Sequence, residues 1–292
     1  MNIFRFVLVT ALGLGLSSTG CLGNTDPLVE DIEPPRFKTL VDPGGGINPN
    51  GLPPAFFHAN KFSLIQAMHL PLVAGEGSSQ ISNGILNTSL LESDAGKTTF
   101  RYAMNCALSS LPSVFGDTVD DNDNIPGQYD GAGLLTTTGG WLTGGLQMGP
   151  KQDIFACLLA HLNPAPVPVH ILVSGASVDD KSTEQLNQDD FSFDEAVWSV
   201  SFASSFAPIL TVWPLGDLVT ACGRSNVIPI LQTRVCGFEG PDPTMNCGVH
   251  FRVDLDTACE KSGGHYNCGG QPAIRTRLKP EDVSKLHGGC GL

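Results

Sequence analysis

Nine cysteines constrain this chain of 292 residues more than any other feature, because each cross-link between distant positions removes many conformations from the unfolded ensemble. An odd number leaves at least one cysteine outside any internal pairing. The odd one is Cys21, at the end of the first hydrophobic run, "MNIFRFVLVTALGLGLSSTGC". Arg5 precedes an apolar stretch of eleven residues from Phe6 to Leu16, and small residues follow it. A bilayer-crossing helix needs about 20 apolar residues, so the run reads as a secretory signal. The other eight cysteines, Cys106, Cys157, Cys222, Cys236, Cys247, Cys259, Cys268 and Cys290, form an even set. In an exported chain that reads as a framework of up to four disulfides, with the pairing left open. Six of the eight fall in the last 71 residues, which marks a change of organisation there.

The small residues directly before Cys21 resemble the lipobox of bacterial lipoproteins, in which the cysteine thiol is acylated and the peptide is cut before it. The resemblance implies that residues 1–20 are a lipoprotein signal peptide and that Cys21 heads the mature chain on a membrane. Multiple acyl chains, at about 0.8 kcal/mol per buried methylene, hold a protein there stably. Leu22 stands where the sorting rule of that class needs Asp for inner-membrane retention, so the expected place is the outer membrane, facing the periplasm or the cell surface.

Behind the anchor, residues 22–54 hold seven prolines and five glycines and show no sustained apolar period, so residues 21–55 read as a lipid-anchored tether. The body divides by charge. Residues 22–215 carry 21 acids and 7 bases, whereas 216–292 carry 8 of each. The expected organisation is therefore an acidic domain over 56–215 and a cysteine-rich, loop-rich region over 216–292. A formal charge of −13 for the whole chain argues against nucleic acid as a partner.

Two segments predict helices. In "FRYAMNCALSS", Phe100, Met104 and Leu108 recur at four-residue spacing, with Ser93 or Asp94 as the cap; in "GPKQDIFACLLAHLN", Ile154, Cys157, Leu158 and His161 form a stripe behind Pro150. Each carries one cysteine near its middle, so Cys106 and Cys157 are expected to pair, closing a loop of about 50 residues worth about 4 kcal/mol. "VPVHILVSG" and "FSFDEAVWSVSF" have the alternation of strands. The fold class expected is α+β: a disulfide-braced body with a few helices and a mostly antiparallel sheet. As a whole the body resembles uncharacterised secreted lipoproteins of Gram-negative bacteria, on the blocks "NCAL", "GGWLTGGL", "ACLLAHLN", "VHILVSG" and "EAVW" and the cysteine-rich tail. That resemblance implies no activity.

Four constellations carry chemistry. Asp117, Asp120, Asp121 and Asp123 crowd one loop with Asn122 and Asn124; hard oxygens this close suit Ca²⁺, although Ile125 and Gly131 break the EF-hand register. The bland reading of that loop is a solvated turn. Cys247 with His250, and His265 with Cys268, have the spacing of a closed zinc site, in competition with disulfides. His161 and His170 read as packed histidines. Asp194 and Glu195 are adjacent on a strand and point to opposite faces, which makes them a poor acid/base pair, with Arg101 as a structural partner for a carboxylate. There is no Gly-x-Ser-x-Gly, His-Glu-x-x-His, Walker loop or dinucleotide fingerprint. The leading expectation is a non-catalytic binding or structural module of the outer envelope, anchored by lipid and contacting an envelope protein or glycan. The competing one is an exported, metal-dependent hydrolase.

Overall fold

Both segments with four-residue apolar spacing are helices in the computed structural model, which describes residues 51–72, 89–108, 134–135, 139–142, 144–165, 167–178, 188–204, 207–237 and 247–290, plus the backbone of two short strands at 114–116 and 127–129. Helix α1 (Pro54–Ala67) starts at a proline pair, whose fixed φ suits a first turn. Helix α2 (Asp94–Ala107) is capped by Ser93, whose hydroxyl accepts from the Gly96 N–H at 3.1 Å. Strands β1 (Val114–Gly116) and β2 (Gly127–Tyr129) pair antiparallel. Helix α3 (Met148–Ala160) is buried all round from Lys151 to Ala160, so the stripe read from its sequence understates how internal it is.

Gly96 shows how closely α2 is seated. A Cβ at this position would lie 1.7 Å from the Leu90 carbonyl oxygen, a contact that only a backbone shift relieves. Gly96→Ala is therefore expected to destabilise the protein by about 3 kcal/mol, near the upper end for overpacking. A urea midpoint unchanged from the parent would contradict this seating of α2.

Seven strands make the main sheet: β3 (Ile171–Ser174), β4 (Phe193–Ser204), β5 (Ala207–Pro214), β6 (Val249–Phe251), β7 (Cys259–Ser262), β8 (His265–Cys268) and β9 (Gln271–Leu278). Their order is β6-β5-β4-β9-β8-β7, and β3 also pairs with β9. Every pairing is antiparallel except β5 with β6. A parallel neighbour needs a crossover, and helices α4 (Gly216–Cys222) and α5 (Val227–Cys236) supply it. The short α6 (Leu255–Ala258) and the terminal α7 (Pro280–Leu286) bring the described helices to seven, in an α+β fold braced by disulfides. Strand β9 lies between β4 and β8, so residues on both sides of position 216 build one sheet.

Alternation along β4 sorts two cores. Ala196, Trp198 and Val200 join Phe57, Phe100 and Phe155 of the helices, whereas Val197 joins Trp213 and Ala273 in a smaller cluster. Four bridges tie the elements. Cys106–Cys157 links α2 to α3, and Cys222–Cys290 links α4 to the chain beyond α7. Cys236–Cys247 joins the end of α5 to the start of β6, and Cys259–Cys268 spans paired residues of β7 and β8. Such a set belongs to an oxidising, extracytoplasmic compartment. Among the described residues no helix is long and apolar enough to cross a membrane.

Candidate functional site

The bridge Cys236–Cys247 shapes a concave feature at the end of α5. It fixes the C-terminus of α5 beside the start of β6, while Gly237, in the left-handed region at φ 73°, ends the helix and returns its N–H to the Thr233 carbonyl at 2.9 Å. An open groove of about 790 Å³ remains between α5, β5 and β6. Its apolar lining includes Ile209, Ile228 and Phe251, and its polar lining Thr211, Gln232 and His250. Ile209 is 38% exposed, a large apolar side chain open at the groove rather than closed over it. Arg252 stands at the rim, in a bidentate pair with Asp254 that holds the Asp254 carboxyl at about 2. Lys61 reaches over from α1 and donates to the Cys247 carbonyl at 3.1 Å; burial lowers its ammonium from the usual lysine value.

Behind the groove α5 is fastened to the sheet by charge. Glu195 sits at a bulge in β4, where the register against β9 shifts between Asp194 and Ala196. The extra residue turns Asp194 to Arg275 and sends Glu195 into the core. There Glu195 meets Arg234 of α5 and His287, and all three are at most 1% exposed. Arg234 also donates to the carbonyls of Ala160 at 2.8 Å and Leu162 at 3.3 Å, and its guanidinium lies 4.7 Å from the centre of the Trp198 ring. Burial opposes the Glu195 charge, but Arg234 and His287 outweigh it, so the carboxyl stays below its ordinary value. His287 Nε2 donates to Glu195 at 2.7 Å. Its Nδ1 is buried without a partner among the described residues, and burial lowers its pKa, so the ring is neutral. Arg101, the one partner expected for a carboxylate here, is not the one that pairs with either: Arg234 pairs with Glu195 and Arg275 with Asp194.

His161 caps α3 as a packed histidine, its Nδ1 donating to the Cys157 carbonyl at 2.7 Å. Burial, partly offset by that bond, lowers its pKa to about 4, and Arg234 and Glu195 are the charged groups that act on it. The unfolded chain binds a proton at this ring below about 6.5 and the folded one does not until about 4. Stability is therefore present above pH 6.5 and lost as the pH falls toward 4, by about 3 kcal/mol from this site. Urea titrations at pH 7.5 and 4.5 measure the loss, and His161→Gln is expected to flatten it; a slope unchanged in that variant would contradict the assignment.

Other expected sites come out differently. Asp117, Asp120, Asp121 and Asp123 lie outside the described residues. The zinc expectation is corrected: Cys247 is bonded to Cys236 and Cys268 to Cys259, so neither sulfur is the thiolate that zinc requires. Cys106, Cys157 and His161 bring ligand atoms within 4.8 Å of one another, but the two sulfurs are bonded together there too. His170 is not a packed core residue. Its side chain is 44% exposed just before β3, and its backbone N–H and Nδ1 both donate to the buried Asp282, each at 2.8 Å. A carboxylate orienting a histidine is half of a hydrolytic triad. Among the described residues, however, no hydroxyl or thiol is hydrogen-bonded to His170, and Lys285 also pairs with Asp282. The arrangement clamps α7 to β3.

The chain matches no family model, no curated protein and no solved structure. The groove and the charge cluster behind it are therefore read on their own geometry. Sequence reasoning missed Arg234, Gln232 and Lys61. The signal for Arg234 was a single cation inside the apolar run "VIPILQTRVC", answered by Glu195 inside "EAVWSV".

Proposed function

We propose that this protein is an envelope lipoprotein, held by acylated Cys21 on a proline- and glycine-rich tether, whose body is a non-catalytic binding module with the α5–β6 groove as its docking site. The observation that carries the reading is the division of labour among the polar groups. The carboxylate and imidazole that converge most tightly, Glu195 and His287, are sealed in the core, bonded to Arg234. By contrast Thr211, Gln232 and His250, which line the open groove, make no side-chain hydrogen bond among the described residues. A hydrolase needs the opposite, with reactive groups facing the cleft. Four disulfides in one body support the exported setting.

Two experiments in the native host test it. Cys21→Ser is expected to release the protein from membranes into the soluble fraction; membrane retention of that variant would refute the anchor. A photo-crosslinker at His250 is expected to give a defined adduct in intact envelopes, where one at the exposed Lys261 gives none. Equal adducts from both positions, or none from His250, would refute the docking site.

A further inference from the structure

We propose, building on the binding-module reading, that the groove takes an extended acidic peptide segment that adds as a strand to the free edge of β6. Residues of both faces of β6 line the groove, Val249 and Phe251 from one and His250 and Arg252 from the other. A cavity over one face of β6 would meet only alternate residues, so this one reaches round the strand from its β5 side, where Ile209 and Thr211 also line it. Backbone parity says which groups are on offer. The Arg252 N–H donates to the Val212 carbonyl at 3.0 Å, which turns Arg252 and His250 toward β5. In a parallel ladder the intervening residues turn both polar groups the other way. Val249 and Phe251 therefore present their N–H and C=O groups outward, and neither has a backbone partner there among the described residues. An exposed strand edge of this kind is a template for an added strand.

The side chains choose the charge. Among the described residues no Asp or Glu lines the groove, in a chain of formal charge −13. The donors are Gln232, His250 and Arg252, joined by Lys61, whose Nζ comes 3.2 Å from where a Cβ on Gly248 would stand. At physiological salt the charges elsewhere on the body are screened beyond about 8 Å, so the local set decides. A strand with acidic side chains flanking apolar ones matches both the donors and the apolar lining of Ile228 and Phe251. Arg252 already holds Asp254, so Lys61, His250 and Gln232 supply most of the preference.

The test uses the full-length protein in detergent. The probes are a nine-residue peptide alternating Val or Thr with Glu, the same peptide with Lys for every Glu, and polygalacturonate as a polyanionic glycan. The acidic peptide is expected to bind at least about tenfold more tightly than its lysine counterpart and to slow amide exchange at Val249 and Phe251. Gln232→Glu, a half-buried helix position outside the core, is expected to reverse that preference. Phe251→Pro removes one outward N–H while leaving the bonds to β5 in place, and is expected to abolish the protection at Val249. Equal binding of the two peptides, or binding without protection at those amides, would overturn the proposal. Binding of polygalacturonate with neither peptide bound would overturn it while leaving the binding module standing. No probe bound and no adduct at His250 would remove both.

Discussion

Arg234→Met is expected to lower the stability of the protein by about 4 kcal/mol, because it strands the Glu195 carboxylate in a core where nothing else neutralises it. For a body of this size that corresponds to a fall in the thermal midpoint of roughly 10 °C. The attraction between two such charges is not the source of the number, since burying them costs about as much as their pairing returns. The penalty arises from breaking the pair. Glu195→Gln added to Arg234→Met is therefore expected to recover much of the loss, an outcome that independent sites would not give. Met keeps much of the aliphatic stem but loses the guanidinium that lies over the Trp198 ring, and the carbonyls of Ala160 and Leu162 lose their donor in both variants. That residual loss of about 1–2 kcal/mol separates the role of Arg234 in holding α3 from its role as counter-ion. If the double variant were as unstable as the sum of the singles, the cluster would not be a coupled pair.

Replacing both Cys106 and Cys157 by Ala is expected to cost about 4 kcal/mol, from the entropy released when a loop with a sequence separation of 51 is opened, with a further loss from the space left between buried helices. Both sulfurs are fully buried, so reductant should not reach this bridge before the protein unfolds. Thiol labelling under native conditions with reductant present is the direct check. Cys106 and Cys157 should stay unlabelled until the urea midpoint, and labelling well below it would mean that α2 and α3 separate locally. The hairpin bridge Cys259–Cys268, with a separation of only 9, should contribute less on the same entropic grounds.

The helices α2 and α3 and their bridge were legible because the signals are local: a cap at Ser93, apolar residues four apart, and one cysteine in each helix, although Cys106 lies in the last turn of α2 rather than near its middle. Strands β3 and β4 showed their alternation for the same reason. What could not be read depends on partners far apart in sequence. Glu195 and Arg234 are separated by 39 residues, and nothing near either names the other. The tight pairs Cys247 with His250 and His265 with Cys268 suggested zinc because spacing alone ignores a hairpin that sets Cys259 opposite Cys268 and a bridge that sets Cys236 beside Cys247. Helix α1 was hard to read because its buried face carries the polar Asn60 beside Phe57 and Leu64, while the apolar Phe62 is exposed away from it. The groove was invisible since it needs β6 at the sheet's edge, a property of topology rather than of any residue.

The position of β9 has a consequence for the order of synthesis. Of the main sheet, strands β3, β4 and β5 emerge first, yet β9, which joins β4 to β8 and also pairs with β3, emerges only after β6, β7 and β8. The bridges impose the same delay: Cys222 emerges shortly before Cys236, but its native partner is Cys290, 68 residues further on. Oxidation in order of appearance would join Cys222 to Cys236. Correct pairing therefore requires either that Cys222 stay reduced until Cys290 has emerged or that a disulfide isomerase undo the early error, and pulse-chase trapping of thiols in cells lacking such an isomerase should find the Cys222–Cys236 species accumulating.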